Sequence, residues 1–335
     1  MDRLPEGRPP ARPSAIGRCR ASPRRHHRAR SLALALTVGA AIAGLLASGP
    51  PAAAQTRSGM PSAPRAAAPA TSTTWSDEFS GAANSRPDPQ EWSYDIGGGG
   101  WGNQELQTYT SATANAHLDG LGHLAIVARP TSTGSCWYGT CRYTSARLLT
   151  LGTFSQQYGH VEARIQVPSG SGLWPAFWML DDNVNAHPDP AYAEGDIMEQ
   201  VGNEPFASYA SQHGRRGPAS MDDCVGYTLP GGAAYATGFH VFAVDWDATQ
   251  VTFSVDGHLT ATRLKATYGR AWTFDQPMFL ILDLAVGGVW PGTPPPGTPF
   301  PAQLLVDYVR VSATPSSAVA PPVVASRSGG CDRAQ

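Results

Sequence analysis

Between residues 75 and 312 no apolar residue recurs at helical spacing over twelve or more positions, and this limits the possible folds most. In place of helices stand short runs rich in β-branched and aromatic residues: HLAIVAR at 123–129, GHVEARIQV at 159–167, HVFAVDWD at 240–247, QVTFSV at 250–255, MFLILDLAV at 278–286 and LLVDYVRV at 304–311. Each is bounded by Gly, Pro, Asn or Asp, the signature of strands. GHVEARIQV alternates apolar and polar residues, as a strand with one wet face does. VDWDATQVTFSVDGHLT reads as two hairpins, the second turning at Asp256-Gly257. Many strands without crossover helices predict an all-β, two-sheet antiparallel sandwich with at least six strands per sheet. Composition agrees: 36 Gly and 30 Pro supply turns, and 15% charged residues is well below the roughly 25% of ordinary domains. A coiled coil or helical bundle is excluded.

The ends of the chain have another character. Residues 1–30 hold nine of the 24 basic residues, all Arg, against Asp2 and Glu6. An uncharged apolar stretch follows at 31–49, then Pro50-Pro51 and the small residues Ala52-Ala53-Ala54. Basic, apolar and small-residue regions in that order predict a secretory signal peptide at 1–54 and an extracellular protein; an uncleaved membrane anchor is the competing reading. Residues 55–73 form a Pro/Ala/Ser linker and 313–335 a low-complexity tail, which leaves 74–312 as the folded domain. The overall net charge of −2 is therefore a cancellation. Beyond the leader, 15 basic residues face 24 acidic ones, which argues against nucleic acid as a partner. After cleavage no membrane association is expected, and the chain is expected to act as a monomer. Cys136, Cys141, Cys224 and Cys331 remain, an even number suited to an oxidising compartment. A small disulfide between Cys136 and Cys141 is plausible from their spacing, but four cysteines allow three connectivities.

The chemistry concentrates in AEGDIMEQV at 193–201, where Glu194, Asp196 and Glu199 crowd three acids into six residues. In a strand, Glu194 and Asp196 share a face and Glu199 points away. A β-bulge at Ile197-Met198 would return Glu199 to the same face. Three acids on one face repel, so stability does not explain the pattern. A carboxylate nucleophile and a carboxylic acid flanking a scissile bond are what glycoside hydrolysis needs, with the third acid tuning the nucleophile. An acidic surface strand or a calcium loop is the plain alternative.

The surrounding blocks narrow the choice. GLWPAFWML at 172–180 precedes EGDIME by about one hairpin, and WSDEF (75–79), WGNQELQTYT (101–110), TSARLLT (144–150), YGHVEARI (158–165), LILDLAVGGVWPG (280–292) and VDYVRV (306–311) follow the same order. Together they resemble glycoside hydrolase family 16, in particular its bulge-containing laminarinase-like members, over nearly all of 75–312. The resemblance implies a concanavalin A-like β-jelly roll with a concave glycan cleft. It implies Glu194 as nucleophile, Glu199 as acid/base and Asp196 as the assisting acid, with polysaccharide as substrate and no cofactor for catalysis. Substrate-binding candidates are Trp101, Asn103, Arg147, Trp174, Trp178, His213 and Trp290, with Glu105 in a similar part. A structural Ca²⁺ on the convex side would use Glu78, the Gly122 backbone and Asp307, oxygen ligands that suit a hard cation.

Two details bear on these expectations. Gly195 stands where the family usually has Ile or Leu, which predicts a small void beneath the catalytic strand. Trp246 and Trp272 sit in regular patterns and read as core. The resulting expectation is a secreted retaining endo-β-1,3-glucanase. A β-1,3-1,4-glucanase, a galactan hydrolase of the same family and a noncatalytic β-glucan-binding lectin are the alternatives.

Overall fold

In the strand Gly159–Gln166, Val161, Ala163 and Ile165 are buried while His160, Glu162, Arg164 and Gln166 are half-buried. This period of two assigns the inward face of the sheet to which the strand belongs. The computed structural model describes residues 73–183 and 192–313. The leader at 1–54, the linker apart from Thr73, the tail apart from Ala313, and Cys331 with it, lie outside the described residues.

Among the described residues two large sheets form the fold. The ten-stranded sheet runs His258–Leu264, Gln250–Val255, His240–Trp246, Gly159–Gln166, Ala302–Ser312, Leu124–Pro130, Tyr143–Ser145 and Gln107–Tyr109. Thr73–Asp77 pairs with Ala302–Ser312, and Ala116–Leu118 with Leu124–Pro130. The seven-stranded sheet runs Ala219–Thr228, Ala207–Arg216, Tyr192–Glu199, Leu173–Asp181, Met278–Val286, Arg147–Leu149 and Ser93–Tyr94. Pairing is antiparallel except between Gln107–Tyr109 and Tyr143–Ser145. This is the all-β jelly-roll sandwich that the strand pattern predicts, with both sheets above six strands. The four-residue helix Lys265–Tyr268 is the α-helix among the described residues.

The core joins Phe177, Met179, Leu280, Leu282 and Leu284 of the seven-stranded sheet to Val161, Ile165, Phe242, Val244, Leu304 and Val306 of the other. Trp246 and Trp272 belong to it, as expected. Trp246 Nε1 donates to the Phe274 carbonyl at 2.8 Å, so its burial leaves no orphaned N–H. The Asp256-Gly257 turn forms as read, with φ of 50° and 74° closing the pair Val255 and His258. Two successive positive φ values match the type I′ hairpin geometry that Asp-Gly favours. Cys136 and Cys141 are bonded to each other, and Cys224 is also in a disulfide.

Met278–Val286 is buried at all nine positions. Its inward residues reach the core, while Phe279 and Ile281 pack outward with Leu149, Trp178 and Leu180. The sheet therefore carries a second layer of side chains on its outer face, and that layer holds the acids.

Beneath the acid strand the sequence expectation needs correcting. A Cβ at Gly195 would lie 3.1 Å from Phe274 Cε1 and 3.3 Å from Met179 Cε. The space a larger residue would fill is already occupied, so Gly195 leaves no void. The Phe274 ring and the flexible Met179 side chain have taken the volume. Gly195→Val is accordingly expected to destabilise the protein by about 1–3 kcal/mol through overpacking. Chemical denaturation measures this, and a stabilised variant would show that the void exists after all.

Candidate active site

The acid strand Tyr192–Glu199 is paired on both edges, and its register changes at one place. Against Leu173–Asp181, Glu194 faces Leu180, Asp196 faces Trp178 and Glu199 faces Ala176. Against Ala207–Arg216, the same acids face His213, Ser211 and Tyr209. Each partner series advances by two, while the acid strand advances by two and then by three. The bulge between Asp196 and Glu199 absorbs the extra residue, as the sequence predicts. Ile197 and Met198 both enter the core, and all three carboxyl groups emerge on the outer face.

The carboxyl groups are buried there, and their proton affinities follow from that. Glu194 is raised above its usual range by burial first and the Asp196 charge second, with His213 and Arg147 opposing. Glu199 is raised well above its usual range by burial, then by Asp196 and Glu194. Burial disfavours the ionised form of a carboxyl group, and each neighbouring negative charge adds to that. Trp174 Nε1 donates to Glu199 Oε1 at 3.0 Å and fixes the orientation of that carboxyl group.

His213 answers the negative charge. Its Nε2 lies 3.3 Å from Asp196 Oδ2 and its Nδ1 lies 2.6 Å from Asp222 Oδ1. Burial alone would lower its pKa, but the two carboxylates raise it well above the ordinary histidine range. The imidazolium thus neutralises Asp196 from the neighbouring strand. Glu194, Asp196 and His213 each bring one potential ligand atom within 4.8 Å of the others, a grouping able to hold a metal ion. As folded, the positive charge in that grouping is the imidazolium's.

Across the sheet lies a second polar cluster. Asp283, opposite Ala176 on one side and Arg147 on the other, accepts from Trp178 Nε1 at 2.8 Å and from Tyr109 Oη at 2.9 Å. Glu105 accepts from Gln107 Nε2 at 2.6 Å and from Asn103 Nδ2 at 3.3 Å. Arg147 pairs with Asp95 at 3.0 Å, and its guanidinium lies over the rings of Trp178 and Trp101 at 4.6 and 5.0 Å. Such stacking suits a planar, weakly hydrated cation. Burial first, then Asp283, pushes the Glu105 carboxyl group up to about 7.

The structure gathers Trp101, Asn103, Arg147, Trp174, Trp178, His213 and Trp290 around this face, but alters the parts of two tryptophans. The resemblance implies Trp174 and Trp178 as substrate-binding residues. Trp174 is only 5% exposed, holds Glu199, and meets the Trp290 ring edge-on at 5.4 Å. Trp178 has one ring face covered by Arg147 and its N–H committed to Asp283. Both tryptophans therefore orient charged groups. The sequence reading does not reach Asp283, Tyr109 or Asp222. A single acid in the otherwise apolar MFLILDLAV was the available signal for Asp283; Asp222, beside another acid in a mixed strand, offers none.

The calcium expectation does not fit the side chains as they stand. Both Glu78 oxygens accept from the Arg310 guanidinium at 2.8 Å. Asp307 pairs with Arg164. Each acid is thus paired with a guanidinium in this structure.

Three buried carboxyl groups set among indoles on one sheet of a β-jelly roll are the arrangement that glycoside hydrolysis needs. The comparisons make the family definite: residues 102–310 match the model of glycosyl hydrolases family 16, and the chain belongs to that family. It is 42% identical over 253 residues to a β-glucanase of Rhodothermus marinus, covering 71% of this chain and 83% of that protein. It is 32% identical to glucan endo-1,3-beta-glucosidase A1 of Niallia circulans, of which it spans 37%. The laminarinase catalytic domain of Thermotoga maritima MSB8 superposes with a TM-score of 0.65 at 41% identity, over 72% of this chain and 97% of that domain.

The raised pKa of Glu105 yields a stability prediction. A carboxyl group whose folded pKa exceeds its unfolded value of 4.5 contributes stability below pH 4.5 and loses it as pH rises through about 7. Glu105→Gln removes that loss. Relative to the parent, the variant should gain on the order of 3 kcal/mol between pH 4 and pH 8. Urea unfolding at both pH values measures the difference, and a pH-independent offset would contradict the buried-carboxyl account.

Proposed function

We propose that the protein is a secreted, retaining endo-β-1,3-glucanase that cleaves laminarin-type chains by double displacement. The observation that carries this reading is the bulge that places Glu194, Asp196 and Glu199 on one face. The names of the relatives point to β-glucan as the substrate class. The basic, apolar and small-residue regions at the start of the chain support export, and the disulfide suits an oxidising compartment.

In this reading the Glu194 carboxylate attacks the anomeric carbon while Glu199, held protonated by its surroundings, gives its proton to the departing glycosidic oxygen. A glycosyl ester on Glu194 results. The Glu199 carboxylate then takes a proton from water, whose oxygen attacks the same carbon and releases Glu194. Two inversions give net retention. Asp196 raises the proton affinity of Glu199, so that the acid keeps its proton until the leaving oxygen needs it. His213 holds Asp196 in place from the neighbouring strand. The site needs neutral sugar recognition, and Arg147, Asn103 and the surrounding indoles supply hydrogen bonds and apolar faces for it.

Incubation with laminarin, lichenan, agarose and xylan, followed by reducing-end assay, tests substrate and activity together. Laminarin is expected to give the fastest release, and silence on every glycan would refute the enzyme reading. Proton NMR early in the reaction is expected to show the β-anomer first; initial α-anomer would rule out retention. Glu199→Gln should lower kcat about 10²–10⁴-fold. Asp196→Asn should have a separate signature. Removing its charge lowers the Glu199 pKa, so the alkaline limb of the kcat/KM profile should move about one pH unit lower. An unmoved limb would show that Asp196 does not tune the acid.

A further inference from the structure

Trp137 is the exposed tryptophan among the described residues, with half of its surface open to solvent. It sits in the hairpin formed by Ser135–Cys136 and Gly139–Thr140, closed by the Cys136–Cys141 disulfide. We propose that this hairpin is an additional glucan subsite, with the Trp137 indole as a platform for one glucosyl unit at the outer end of the cleft. The proposal rests on the β-glucanase reading of the acid site.

The ring is open yet held. Trp137 Nε1 donates to the Glu105 carbonyl at 2.7 Å, and its backbone N–H donates to the Gly98 carbonyl at 2.9 Å. The Tyr138 ring meets it edge-on at 5.3 Å, Tyr138 Oη is tied to the Leu106 carbonyl, and the Arg142 guanidinium covers Tyr138. These contacts fix the plane of the indole before any ligand arrives, which lowers the ordering cost of binding. A tryptophan that only pinned the hairpin would do so with its ring covered, as Trp92, Trp246 and Trp272 are. An indole with its N–H satisfied and an apolar face in water is suited to cover the apolar face of a pyranose.

Continuity with the cleft supports the choice of ligand. The hairpin docks on the glycine run at 97–100, through a bridge between Gly98 and Cys136. A Cβ at Gly98 would lie 2.5 Å from Cys136 Sγ, and one at Gly100 would lie 2.9 Å from Trp137 Cδ1. The hairpin therefore leaves no room for a side chain at Gly98 or Gly100, and Gly97 has a φ of 129° that favours glycine. Trp101 follows directly, with its Nε1 bonded to the Gly97 carbonyl and its ring 5.4 Å from Tyr109, which reaches Asp283 on the cleft floor. Trp101 and Trp137 therefore anchor to the same loop, at Gly97 and Gly98, and Trp101 also stacks on Arg147. In the proposed subsite, a polysaccharide chain that lies along Trp101 continues over Trp137.

The test compares chain lengths in a background that cannot turn over. Calorimetric titration of Glu194→Gln with long and short 1,3-β-linked oligosaccharides gives the reference affinities. Adding Trp137→Ala is expected to weaken the long ligand about three- to tenfold and to leave the short one unchanged. Trp137→Phe, which keeps a ring and the hairpin, is expected to fall between. Equal affinity for the long ligand in the reference and both Trp137 variants overturns the subsite, as does an equal loss for both lengths. If the reference protein binds neither length, the glucanase reading falls and the subsite falls with it.

Discussion

Three carboxyl groups held together on one sheet face, away from water, are what the rest of this structure must accommodate. Burying a carboxylate is costly unless it is protonated, paired or hydrogen-bonded, and mutual repulsion adds to the cost. The protein uses all three remedies. Glu199 is pushed toward the protonated form and held by Trp174; Asp196 is paired with the His213 imidazolium; Glu194 feels the positive charges of His213 and Arg147. The bulge between Asp196 and Glu199 makes the accommodation necessary, since a regular strand would send Glu199 into the core.

The same physics recurs a few strands away. Glu105 and Asp283 form a second pair of buried carboxyl groups, bridged by the Tyr109 hydroxyl and faced by Arg147. This cluster fixes the Arg147 guanidinium between two indoles and turns the Trp178 N–H inward. One polar layer over the seven-stranded sheet thus joins the acids to the walls of the cleft. Its cost is offset by the apolar core on the opposite face, where Phe177, Met179, Ile197 and Met198 pack beneath these side chains.

Much of the fold was legible because its signals are local. The strand at 278–286 is recovered with the bounds read from its apolar run, and the Asp256-Gly257 turn with the geometry that dipeptide prefers. The three acids and the bulge were legible for a similar reason: spacing within one strand fixes which face a side chain takes. What failed required knowledge of a neighbouring strand. Gly195 suggests a void only while Phe274, distant in sequence, is not seen to occupy the space. Trp174 and Trp178 look like sugar platforms until Glu199, Asp283 and Arg147 are placed against them. The pairing of Glu78 with Arg310 and of Asp307 with Arg164 was likewise not legible in the sequence.

By itself, then, the sequence determined the class of fold, the face carrying the acids and the chemistry three such acids can perform. Strand period, turn residues and a one-residue insertion are properties of contiguous chain. Only the tertiary structure decided the proton affinities, the orientation of each indole and the partner of each cation. Those depend on burial and on charges brought within a few ångströms from strands that are far apart in sequence, and no local pattern encodes that distance.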